Sequence, residues 1–172
     1  MSKTRMWSVG LLTIALLAGT CFAADAVPPK FYKLDFVVKE VDGGKVLNAR
    51  TYSAVVATEV TSTEQHPCSI RTESRVPYST GMNSYTSADV GVNIDCQHVT
   101  DVAGELTLRV DADIKSMAQE SATPATLPPI IRQNKWSSNI IVPLKKPTVI
   151  FSSEDLTNKR QMQLELTATP IT

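Results

Sequence analysis

Both histidines of this chain, and two of its three cysteines, lie in two mirrored tripeptides, His66-Pro67-Cys68 and Cys96-Gln97-His98. If the intervening stretch folds back near Met82 as an antiparallel hairpin, Cys68 faces Cys96 and His66 faces His98. Residues two apart on a strand share a face, so this register would gather all four side chains on one side of the ladder, provided no net bulge intervenes. Three chemistries are open to such a set. Directly opposed strand residues satisfy the Cα separation that a disulfide needs, about 4.4 to 6.8 Å. Two thiolates and two imidazoles can instead hold zinc tetrahedrally, or copper. Alternatively the thiols stay separate and the histidines are solvated strand-end residues. The spacings H-x-C and C-x-H are not those of the common zinc modules, and Pro67 disturbs pairing beside His66. The expectation is a Cys68–Cys96 disulfide, with no metal site and no cofactor.

A disulfide needs an oxidising compartment, and the N-terminus supplies a route to one. Lys3 and Arg5 precede an apolar run from Val9 to Leu17, and small residues close the segment at CFAADA. Residues 1–23 therefore read as a signal peptide cleaved after Ala23, with the A-x-A pattern of Ala24 and Ala26 as an alternative boundary. Leu17-Ala18-Gly19-Thr20-Cys21 resembles a lipoprotein cleavage box shifted by one residue, which leaves lipidation at Cys21 as the rival processing. The apolar run is shorter than the ~20 residues a spanning helix needs.

The elements that must position the tripeptides are strands. Residues 24–172 show strict alternation rich in β-branched side chains and no sustained helical period. In the first hairpin, Tyr32, Leu34, Phe36 and Val38 point one way, and Asp42-Gly43-Gly44 supplies a strong turn signal. Two strands meet around Gly81-Met82-Asn83, and a further turn falls between Asp101 and Gly104. Beyond it Leu106, Leu108 and Val110 share a face. ESATPATLPP reads as a surface loop, and Met162, Leu164 and Leu166 alternate with polar residues near the C-terminus. Prolines 77, 143, 147 and 170 mark strand ends or edges, because proline donates nothing to a ladder. The expected fold is a single all-β domain of about eight or nine strands, an antiparallel sandwich or twisted β-meander.

Charge and motifs narrow the function. The chain has 17 basic and 17 acidic residues, and loss of Lys3 and Arg5 with the leader leaves 15 against 17. Such a balance gives no electrostatic reason to bind nucleic acid or anionic lipid. No G-x-S-x-G, H-E-x-x-H, P-loop or dinucleotide fingerprint occurs. Asp111 and Asp113 are the minimum for paired carboxylates or calcium, but on an alternating strand they read as its solvated face. Arg132, Lys135 and Trp136 are a weak hint of a ligand platform. An enzyme is not expected.

The stretch 70–153 resembles the conserved β-domain of secretins, the outer-membrane channels of type II and type III secretion and of type IV pili. IRTESRVPYSTG is similar to the secretin strand ending in a "VP-x-x-TG" corner, carried here by Val76, Pro77, Thr80 and Gly81. YTSADVGVNID is similar to the next strand, through Tyr85, Asp89, Val90, Gly91 and Val92. GELTLRVDADIKSMA and PIIRQNKWSSNIIVPLKKPTVIF follow in the family's order. In the corresponding positions the family's acid-glycine-glutamine turn is Lys145-Lys146-Pro147 and its double glycine is Ser152-Ser153. Secretins are also several times longer and carry ring-building domains ahead of this one. Gly91 within a strand marks a bulge or a close backbone approach, and Pro77 is expected to end pairing at its corner.

The resemblance implies an exported, non-enzymatic module of the periplasm or cell envelope that works by binding or assembly, with an outer-membrane complex as its setting. Its partner would be another protein or a second copy, joined by strand pairing. The edge expected to serve is the proline-interrupted segment holding Val142, Leu144, Lys145 and Lys146. The alternative is a stand-alone periplasmic sandwich that binds a ligand or metal.

Overall fold

The computed structural model describes residues 28–58, 68–81, 84–117, 130–155 and 160–171. Eight strands occur among them: β1 (Phe31–Asp42), β2 (Lys45–Ala57), β3 (Cys68–Gly81), β4 (Ser84–Val102), β5 (Glu105–Met117), β6 (Ile131–Pro143), β7 (Thr148–Glu154) and β8 (Arg160–Ile171). They form two four-stranded antiparallel sheets, ordered β2-β1-β8-β7 and β3-β4-β5-β6. The first sheet pairs the first strand with the last along their whole lengths, from Phe31 opposite Ile171 to Asp42 opposite Arg160. The second is a plain meander. The all-β expectation holds, and its sandwich form with it.

Alternation explains why the sheets stack. Leu34 and Phe36 on β1, Leu164 and Leu166 on β8, Ile94 on β4 and Leu106 on β5 are all fully buried between them. Full burial of such side chains stabilises by about 1.5–3 kcal/mol each. Two hairpins turn as their residues dictate: Gly43 and Gly44 both have positive φ (55° and 84°), as do Ala103 and Gly104 (54° and 85°). That pairing of angles matches the right-handed twist of the flanking strands. Pro143 closes β6 and Pro147 precedes β7. Between them Leu144 bridges Ala168 and the Lys145 N–H donates to the Ala168 carbonyl at 2.7 Å, so the chain changes sheets at this corner. Pro77 differs from expectation. Pairing runs through it, with Tyr78 opposite Thr86 and Ser79 opposite Tyr85. Because β3 is an edge strand, a residue without an N–H need not interrupt its ladder.

One polar clamp ties the sheets at the end where β1 begins. The Tyr32 hydroxyl on β1 and the Lys30 ammonium both donate to Asp101 Oδ2 on β4, each at 2.7 Å, and the Gly104 N–H reaches Oδ1 at 3.3 Å. Burial of Tyr32, reinforced by the Asp101 carboxylate, raises the phenol from 10.0 to about 12. Bonds from Lys30 and then Tyr32 hold the Asp101 carboxyl below its ordinary 3.8.

Among the described residues the β3–β4 hairpin runs on past its pairing with β5. β4 pairs with β5 only from Gly91 onward, opposite Lys115, whereas its pairing with β3 continues to Ser84. Among the described residues, 74–81 and 84–90 thus form a two-stranded ribbon of roughly 25 Å, at about 3.3 Å per residue. The branch point is Gly91. A Cβ there would lie 1.9 Å from the Thr72 carbonyl oxygen and 2.9 Å from Glu73 Cα, both backbone atoms of the neighbouring strand. The expected close approach is present.

Two predictions follow from this geometry. Gly91→Ala must push β3 aside and should cost about 1–3 kcal/mol, read as a lower urea midpoint with an unchanged slope. In the clamp, a phenol whose pKa is higher folded than unfolded adds stability that is present below pH 10 and lost as pH rises toward about 12. The stability gap between wild type and Tyr32→Phe should therefore be constant up to about pH 10 and shrink above it. A gap unchanged up to pH 12 would contradict the clamp.

Candidate functional site

The mirrored tripeptides meet on one side only. Cys68 and Cys96 face one another in the expected register and are bonded, with their Cα atoms 4.9 Å apart. Both are in the core, Cys96 completely so. His66 lies outside the described residues. His98 does not join the cysteines: it has a φ of 52°, and the β4–β5 register shifts between Gln97 and Thr100. One extra residue there is a bulge, and it reverses which side chains point inward. Cys96 and Val99 are both fully buried while His98 is exposed. The hairpin register itself holds from Ser79 and Tyr85 to Cys68 and Cys96; the bulge lies past Cys96 on the β5 side of β4, and it takes His98 off the cysteines' face. A signal was legible: the buried positions Ile94, Cys96 and Val99 are spaced two and then three apart. The bulge also turns Asp101 toward Tyr32.

The remaining candidates are dispersed. Asp111 and Asp113 are on the outer face of β5; Arg109 Nε donates to Asp111 at 3.3 Å and Gln133 Nε2 to Asp113 at 2.8 Å. That is the solvated strand face expected of them. Arg132 and Trp136 face inward on β6 while Lys135 faces out, so the three build no common platform. Arg132 pairs with Asp155 at 2.8 Å and the Trp136 ring meets Phe151 at 5.7 Å, both of which tie β6 to the β7 end.

The proposed assembly segment divides in the same way. Val142 is fully buried opposite Leu106, and Leu144 packs partly against the core. Lys145, at a φ of 60°, and Lys146 are exposed at the corner. The open edge is the strand before that corner. β6 is hydrogen-bonded to β5 from Ile131 to Pro143, and no strand among the described residues lies on its other side. β2, β3 and β7 are the other edges. Exposed Ile141 (63%) and Val149 (50%) flank the corner on the outer faces of β6 and β7.

A feature that sequence reasoning missed is the projecting β3–β4 ribbon. Ser74, Val76 and Tyr78 share one face with Val90, Ala88 and Thr86; Arg75 and Asp89 pair at 3.1 Å on the other. Alternation continues past the sandwich, so nothing in the pattern marks where β5 stops. Tyr85 stands 76% exposed near its tip.

No family model and no curated protein sequence matches the chain. Solved structures do. A cryo-EM structure of the Salmonella SPI-1 type III secretion injectisome secretin InvG aligns at a TM-score of 0.50 and 10% identity, over 85% of this chain and 66% of that one. An atomic model of the injectisome basal body proteins InvG, PrgH and PrgK gives a TM-score of 0.50 and 10% identity, over 85% and 47%. The fold is secretin-like. At this identity the likeness is one of fold, and it extends well beyond the stretch 70–153. The chain spans less than two thirds of the length of either of these two chains. In this secretin-like sandwich β3 contributes little to the core beyond Cys68 and the partly buried Ile70, so the disulfide is its chief anchor.

The bond closes a loop between residues 28 apart, for which chain entropy gives roughly 3 to 4 kcal/mol. Cys68→Ala/Cys96→Ala should lose about that much, and β3 should lose amide protection before β5. Thiol labelling after denaturation without reductant should find neither cysteine of the exported protein free. Labelling of both would contradict the bond.

Proposed function

We propose that this protein is an exported, non-enzymatic β-domain of the periplasm or cell envelope that works by docking an extended strand of a partner, or of a second copy, at an open sheet edge. The observation that carries this reading is β6, 13 residues long with one side unpaired among the described residues. An unpaired edge presents a row of N–H and C=O groups to another chain, and the alternating side chains set which chain fits. Pro143, Pro147, Lys145 and Lys146 at its end restrict indiscriminate pairing without closing the strand itself.

Export is supported by the charged start, short apolar run and small-residue boundary of residues 1–23, and by the cross-strand disulfide. No helix among the described residues is long and apolar enough to cross a membrane. A setting in a secretion or pilus complex is suggested by the secretin-like fold, since InvG is the secretin of a type III injectisome.

The test is capture from envelope extracts followed by mass measurement of the intact complex, on protein expressed with its leader. The expected product begins at Ala24, fractionates with the envelope and forms a defined complex. Lys145→Glu and Lys146→Glu, both at exposed positions, should shift the unfolding free energy by no more than about 0.5 kcal/mol while weakening that complex. A wild-type protein that is monomeric at high concentration and captures nothing would overturn the assembly reading.

A further inference from the structure

The hold on β3 is unlike the hold on its neighbours. Among the described residues, every buried apolar side chain except Cys68 lies on another strand. Ile70 is the one further side chain of β3 that packs against the core, and only in part. The other side-chain ties of β3 run to β4 alone. Arg71 pairs with Asp95 and Arg75 with Asp89, both at exposed positions where ion pairs hold little. The Thr72 hydroxyl donates to the Val92 carbonyl and accepts from its N–H, each at 3.3 Å. A strand with so few buried contacts belongs to the part of a structure that opens first.

The rest of the sandwich is closed without it. β4 keeps β5 on its other side from Gly91 to Val102. Its inward residues Val92, Ile94, Cys96 and Val99 are enclosed with Leu34 and Phe36 of β1, Leu106 and Leu108 of β5 and Leu164 and Leu166 of β8. The sheet-to-sheet bond from the Tyr32 hydroxyl also ends on β4, at Asp101. Cys68 is the first residue of β3 and keeps 6% of its surface exposed, whereas Cys96 is wholly enclosed. Fraying at the start of β3 therefore presents the Cys68 sulfur before that of Cys96.

We propose that the Cys68–Cys96 bond is a redox latch: its reduction by a dithiol releases β3 and uncovers the edge of β4, while the other strands stay folded. The step is ordinary thiol–disulfide exchange. A thiolate of the dithiol attacks Cys68 Sγ and forms a mixed disulfide, and Cys96 leaves as a thiolate that takes up a proton. The second thiol of the dithiol then attacks the mixed disulfide and frees Cys68. Two electrons pass to the protein, which gains two thiols as the dithiol becomes a disulfide. Reduction restores to the open chain the freedom that the cross-link had removed, and little buried surface on β3 opposes its departure. The ribbon loses one of its two strands, and β4 becomes an open edge of its sheet. This device lies at the edge opposite β6 and does not depend on docking there.

The test incubates the oxidised mature protein with dithiothreitol in native buffer and follows amide exchange residue by residue. Both cysteines should become reactive to iodoacetamide without denaturant. The β3 amides that bond β4 between Cys68 and Val76 should then exchange about a hundredfold faster, while the β1–β8 pair stays protected. Reoxidation with glutathione disulfide should restore the slow exchange. The Cys68→Ala/Cys96→Ala variant should show the released pattern whether or not dithiothreitol is present, which separates the bond from any other effect of the reagent. If that variant does not fold, the reduced wild type still decides. An acceleration under about tenfold on β3 would overturn the latch. So would a collapse of protection in β1 and β8 together with β3, or a bond that dithiothreitol opens only in denaturant strong enough to unfold the whole protein.

Discussion

The covalent bond between Cys68 and Cys96 sets the register on which half of the molecule depends. β3 is an edge strand with few buried side chains, so its ladder with β4 would slide at little hydrophobic cost. Bonding two directly opposed residues removes that freedom. It places Glu73 opposite Gly91, where the absence of a side chain lets the two backbones approach closely. Beyond that point, among the described residues, the hairpin continues as a two-stranded ribbon. Isolated two-stranded ribbons are marginal in water, and this one is held by a covalent root and by the strand pairs that lead from it.

At the opposite edge of the same sheet the constraint is of another kind. β6 is fixed from inside, by Val142 in the core and by contacts of Trp136 and Arg132 with the β7 end. Its outer side has no partner strand among the described residues. The corner that follows passes from one sheet to the other, and its backbone is committed through Lys145 to Ala168. A rigid strand with a free edge can receive another strand without first reorganising, which lowers the entropic cost of association.

Much of the fold was legible because burial here follows a period of two. Tyr32, Leu34 and Phe36, or Leu106, Leu108 and Val110, could be assigned to the interior from alternation alone. The disulfide was legible from one number, the midpoint of the hairpin. What alternation hides is a change of phase. The bulge at His98 adds one residue, sends the histidine outward and brings Val99 and Asp101 in, so the apparent four-residue cluster dissolved. Pro77 misled in a different way, since a proline marks an interruption only if its N–H would have been bonded. The extent of the ribbon was invisible because the length of one strand does not reveal where its neighbour stops. Val142 was assigned to an assembly edge by its segment, although its side chain belongs to the core. Strand and side chain answer different questions at an edge.

Residue-resolved amide hydrogen exchange on the oxidised, monomeric protein tests the central claim, that β6 is a well-packed strand with one open side. Amides of β6 directed at β5 should exchange slowly, with protection comparable to the β1–β8 pair, while the alternate amides directed outward should exchange at close to solvent rates. Uniform protection along β6 in the monomer would mean that the edge is already covered, and would contradict the account.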